Sequence, residues 1–72
     1  MGDVFKFIEL VGTSENSIED AVENAVSRAG RTLNDLQWFV VQETRGRMKD
    51  NAIAEWQVLV KVAFTVQADA DV

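Results

Sequence analysis

Cysteine and histidine are both missing from the 72 residues. Without cysteine there is no disulfide, no thiolate metal site and no redox thiol. Without histidine the commonest zinc, copper and iron ligand is gone, together with the side chain best suited to proton transfer near neutral pH. Bases are scarce as well: seven Lys and Arg against twelve Asp and Glu leave a net charge of -5. That balance opposes nucleic-acid binding, which needs Lys and Arg clustered on one face. No segment approaches the ~18 apolar residues of a membrane span. The opening MGDVFKFIELVG has an early acid and no long apolar run, unlike a signal peptide. Lys6 stands where a myristoylation motif carries Ser or Thr. The expectation is a cytoplasmic protein with no membrane or nucleic-acid partner. One domain spans residues 1–72, ordered over about 4–66, with a small acidic tail, QADADV, at 67–72 that should fray.

What is present must fold without those aids. The hydrophobic fraction of 47% is that of a globular chain rather than a disordered one. A core this small buries only about 60% of the unfolded surface, so such domains lean on disulfides, metals or oligomerisation. Oligomerisation is the aid that remains.

The pattern of residues gives three strands and one helix. Val4 to Val11, ending at Gly12, is β-rich. Lys6, Ile8 and Leu10 share one face, and Phe5, Phe7, Glu9 and Val11 the other. GTSENS supplies helix-capping types in Ser14 and Ser17, with Glu15, Glu19 and Asp20 near the positive end of the helix dipole. Ile18, Ala21, Val22, Ala25, Val26, Ala29 and Leu33 then recur at helical spacing, and Gly30 loosens the last turn. Leu36 to Arg45 and Ala52 to Val66 read as strands joined in a hairpin by the polar link 46–51.

Strand phase sorts the hairpin residues. Trp56, Val58, Val60, Val62, Phe64 and Val66 form an apolar face that must meet the helix, with Trp56 as core. A turn near Arg47 to Lys49 pairs Phe39, Val41 and Glu43 with that set. It leaves Trp38 and Val40 on the outer face, with Gln57 and Leu59 as neighbours of Trp38. Phe5, Phe7, Val11, Trp38, Val40 and Leu59 are more exposed apolar surface than a soluble monomer usually tolerates. Burial against further copies is the simplest remedy. The architecture is α+β: β-α-β-β, a three-stranded antiparallel sheet wrapped around one amphipathic helix.

Few residues invite catalytic chemistry. No serine or threonine has a nucleophile-elbow setting, and the glycines at 2, 12, 30 and 46 are too far apart for a phosphate loop. Glu19, Asp20 and Glu23 lie on the solvated helix face. Asp69 and Asp71 supply fewer oxygens than Ca²⁺ or Mg²⁺ prefers. Trp38 serves either as an interface anchor or as a stacking platform under a planar ligand. Gln57 offers an amide donor and acceptor able to read a heterocycle's imide edge, or is an ordinary strand residue. Arg45 either pairs with Glu43 or Glu55 or clamps an anion.

Several stretches taken together, ELVGTS, the alanine-rich helix, LQWF, ETRG and WQVLVKVAF, make the chain similar to the dodecins from Val4 to about Val66. That resemblance implies a hollow homododecamer built of trimers, binding flavin at two-fold interfaces. Trp38 would stack on the isoalloxazine ring, Gln57 would bond its pyrimidine edge, and Arg45 would lie near the ligand. Paired flavins and tryptophans would quench the bound chromophore, giving a store for FMN or riboflavin rather than an enzyme. Some members also bind coenzyme A at the trimer axes, for which no residue is assigned here. Gln37 and Val40 stand where bacterial members often have acids, Ala63 where glycine is usual, and Thr65 in place of a frequent arginine. The loss of an acid beside Trp38 and of that arginine both bear on the choice between FMN and riboflavin. A ligand-free structural shell is the alternative.

Overall fold

The computed structural model describes residues 2–66. The elements run β1 (Phe5–Ser14), α1 (Ile18–Ala29), β2 (Leu36–Lys49) and β3 (Ala52–Thr65). They form an antiparallel sheet in the order β1-β3-β2 with α1 on one face, the expected β-α-β-β arrangement. The central place goes to β3, the strand with the longest apolar alternation. Its Val58, Val60 and Val62 are almost wholly buried beneath the helix. Tail residues 67–72 lie outside the described residues, so the expected fraying falls there. Among the described residues no helix is long and apolar enough to cross a membrane.

The helix is seated by small residues. Ala21, Ala25 and Ala29 are its buried positions, flanked by the partly buried Ile18, Val22 and Val26. Gly12 of β1 completes the fit. A Cβ there would collide with the carbonyl oxygen of Ala21 and lie 2.9 Å from the Ala25 methyl. Backbone thus meets backbone, which is why the apolar stripe of α1 is alanine rather than leucine where it faces β1.

Both candidate capping serines are used. The Ser17 hydroxyl accepts from the Asp20 amide at 3.0 Å. The Ser14 hydroxyl accepts from the amides of Asn16 and Ser17, and donates to the Asp20 carboxylate at 2.7 Å. Ser17 therefore satisfies an amide that the first turn would leave open, and Ser14 ties down the two amides that lead into it. At the other end Gly30 stays right-handed, with φ -69°, and its amide still donates to Val26. Leu33, expected on the helical stripe, lies beyond the helix end with its amide on the Ala29 carbonyl.

The hairpin departs from expectation in three ways. Residues 46–49 belong to β2, so each arm is 14 residues long and the turn is only Asp50-Asn51. Their φ values of 54° and 65° are both left-handed, the geometry of a two-residue type I′ turn. An irregularity between Val41 and Glu43 makes Gln42 an extra residue, which reverses the strand's phase. Val41 faces Val60 on the helix side, whereas Glu43 faces Leu59 on the outer side, not beside Phe39 and Val41 as expected.

Third, Phe39 and Val41 are on the helix side without being covered by it. They are 50% and 40% exposed, because α1 packs on β1 and β3 and barely touches β2. Trp56 is half-buried rather than core, since it lies level with Ser14, where the chain is only entering the helix. The principal extents are 55 × 20 × 15 Å and the radius of gyration is 15.1 Å. A compact chain of this length would have about 11 Å.

Gly12→Ala should lower stability by about 3 kcal/mol, since helix and strand must separate to admit the methyl. Gly2→Ala, at a position with open space around it, should be neutral. Urea unfolding at one fixed protein concentration checks both.

Candidate functional site

Trp38 of β2 and Phe7 of β1 flank the same residue of β3, Ala63, from opposite sides. Ala63 is buried, and its single methyl leaves a shallow trough into which larger rings can lean. Trp38 meets Phe5 at 4.8 Å between centroids with 64° between planes, and Phe7 at 5.9 Å with 81°. Both are edge contacts, the favoured geometry for aromatic quadrupoles. They hold the indole in place yet leave Trp38 44% exposed. Lys61, opposite both Glu9 and Val40, brings its ammonium to 5.6 Å from the Phe7 centroid. Phe5 and Phe7 were legible as outer-face residues from strand phase. Their contact with Trp38 was not, because it depends on both outer strands meeting over Ala63.

Gln57 lies elsewhere on the same sheet. Its register partners are Thr13 on β1 and Arg45 on β2. The Nε of Arg45 donates to the Oε1 of Gln57 at 2.7 Å, and Arg45 Nη1 is 3.8 Å from a carboxylate oxygen of Glu43. Glu55 is taken by Arg47 at 2.9 Å. Of the two acids considered for Arg45, the partner is therefore Glu43, which reaches it only because the irregularity at Gln42 turns it outward.

The expected adjacency of Trp38 and Gln57 does not hold within one chain. Trp38 pairs with Ala63, six residues along β3 from Gln57, or about 20 Å at ~3.3 Å per residue. Each residue by which the turn moves shifts the pairing by two, and the turn falls at 50–51 instead of around 47–49. Arg45 and Gln57 are brought together; Trp38 stands apart from them with Phe5 and Phe7.

A second uncovered surface lies on the opposite side of the sheet. Ile18, Val22 and Val26 of α1 and Phe39 and Val41 of β2 line an open groove of about 680 Å³, rimmed by Glu19 and Glu23. Its apolar walls are the faces that α1 and β2 would have buried against each other had the helix sat centrally. Among the described residues no group of three or more acidic side chains converges on a point that could hold a metal ion. Asp69 and Asp71 lie outside the described residues.

Comparison with known proteins agrees with this architecture. The Dodecin family model matches residues 4–67. The dodecin of Thermus thermophilus is 45% identical over 67 residues, covering 93% of this chain and 97% of that one. The structure of dodecin from Streptomyces coelicolor superposes with a TM-score of 0.88 at 40% identity, over 93% of this chain and 96% of that one. The calcium dodecin of Mycobacterium tuberculosis, described with a novel calcium-binding site, gives a TM-score of 0.79 at 27% identity, over 92% and 94%. With a family match from the first strand to the end of the last, the chain belongs to the dodecin family.

Proposed function

We propose that the chain stores flavin, holding FMN or riboflavin against Trp38 at interfaces between copies of itself in a homododecamer. The observation that carries this reading is Trp38: a large indole, braced edge-on by Phe5 and Phe7, kept half-open on a sheet face that none of the described elements covers. Bracing removes the entropy that a free side chain would lose on stacking, and a flat ring fits such a platform. Membership of the dodecin family supports the same ligand class.

Geometry favours a shared site. Trp38 and Gln57 are about 20 Å apart along β3 in one chain, farther than a single flavin ring reaches. A ligand stacked on Trp38 and bonded by Gln57 takes the two residues from different copies. The bare outer face and the bare groove provide two distinct surfaces for association, as a closed shell built from trimers requires. Function is then binding without turnover, and the stacked indole quenches and shields the chromophore. The Mycobacterium relative is named for calcium.

Titrating riboflavin and FMN while following flavin fluorescence tests the site. Trp38→Ala should weaken both about 10- to 100-fold, the loss of one stacked base-like ring; unchanged affinity would sink the stacking reading. Flavin at 100 times its Kd should also stabilise the assembly by about 2.7 kcal/mol. Val41→Asp, which puts a charge on the groove floor, should shift native mass from the dodecamer to smaller species. A wild-type monomer in that measurement would overturn the assembly.

A further inference from the structure

We propose that Arg45 is a positioning residue for Gln57: it locks the glutamine amide in one orientation, so that donor and acceptor meet a ligand edge in a set order. This rests on the flavin reading above and adds to it a determinant of edge recognition.

The chemistry of the contact leaves one assignment. A guanidinium has only donors, so the amide atom facing Arg45 Nε at 2.7 Å is the oxygen of Gln57. The amide nitrogen is thereby turned away from Arg45. Left alone, a glutamine's terminal torsion is broad and roughly two-fold, and the amide would present either edge. With Oε1 engaged by a charged donor, the flipped state would set an NH₂ against a cation. Oε1 keeps a second lone pair, so the locked amide offers one donor and one acceptor side by side. That pattern matches a carbonyl next to an N–H, the imide edge of a flavin's pyrimidine ring.

The same contacts argue against a phosphate clamp. Glu43 lies 3.8 Å from Arg45 Nη1, so the guanidinium is already paired with a carboxylate on its own strand. A phosphate approaching Arg45 meets the Glu43 charge as well. The third residue across this part of the sheet, Thr13, is uncharged. The arrangement selects for the ring edge and is indifferent to the phosphate, so riboflavin and FMN should depend on Arg45 alike.

A double-mutant cycle tests this, with riboflavin and FMN titrated against wild type, Arg45→Ala, Gln57→Ala and the double variant, each checked by native mass. Arg45→Ala should weaken both flavins by about the same factor, roughly fivefold, the worth of one ordinary hydrogen bond. In the Gln57→Ala background, removing Arg45 should cost nothing further. Arg45→Gln, a neutral residue that can still donate to Oε1, should bind both flavins nearly as wild type does, and it carries the test if Arg45→Ala does not assemble. Loss of FMN binding alone in either Arg45 variant, or additive losses in the double variant, would overturn the inference while leaving the flavin site standing. A wild-type protein that binds neither flavin would remove the site itself and this role with it.

Discussion

One 12-residue helix must serve a sheet whose hairpin arms are 14 residues each, and everything else follows from that mismatch. The helix is about 18 Å long, while each arm extends about 46 Å. It cannot cover the whole sheet, and where it sits decides what is left bare. Contact of Gly12 with Ala21 and Ala25 pulls it onto β1 and the centre of β3. Larger residues at those points would push it outward and forfeit the close packing. Among the described residues, β2 is left without a cover on the helix side, and no element lies on the outer side.

The two bare surfaces differ in character. The groove between α1 and β2 is aliphatic apart from Phe39, with an acidic rim, and is suited to packing against protein. The outer face concentrates its rings at one place, over Ala63, and its polar groups at another, around Gln57. On the proposed function, such segregation gives one chain half a recognition site at each of two positions. Two copies brought together can supply stacking and edge recognition to one planar ligand, which is the economy of building a site at a symmetric interface.

The polar half depends on a single extra residue. Were Gln42 paired regularly, the alternation of β2 would carry Glu43 to the helix side with Val41, and Arg45 would keep to that phase. The irregularity turns both outward, where Glu43 pairs with Arg45 and Arg45 with Gln57. A local departure from regular pairing thus sets the chemistry of the outer face without altering the core, because the phase has already delivered Phe39 and Val41 to the other side.

Much of this was legible beforehand. Ala21, Ala25 and Ala29 announce the buried stripe of α1, Ser14 and Ser17 its start, and Val58, Val60 and Val62 the central strand, since periodicity and capping are local properties. Strand phase alone put Trp38, Phe5 and Phe7 on an uncovered face, and the absence of cysteine and histidine narrowed the means of stabilising so small a chain. The resemblance of LQWF and WQVLVKVAF to dodecins supplied the family. Register was beyond local reading: the polar run from Gly46 to Asn51 looks like a loop, and only the left-handed pair Asp50-Asn51 marks the true turn. From that register come the separation of Trp38 from Gln57, the meeting of Trp38 with Phe5 and Phe7, and the tie between Arg45 and Gln57. Sequence by itself determined which elements form and which faces are apolar, because those depend on neighbours along the chain. Tertiary structure decided which residues meet, because pairing across strands turns on where the chain reverses and on how closely one glycine lets the helix approach.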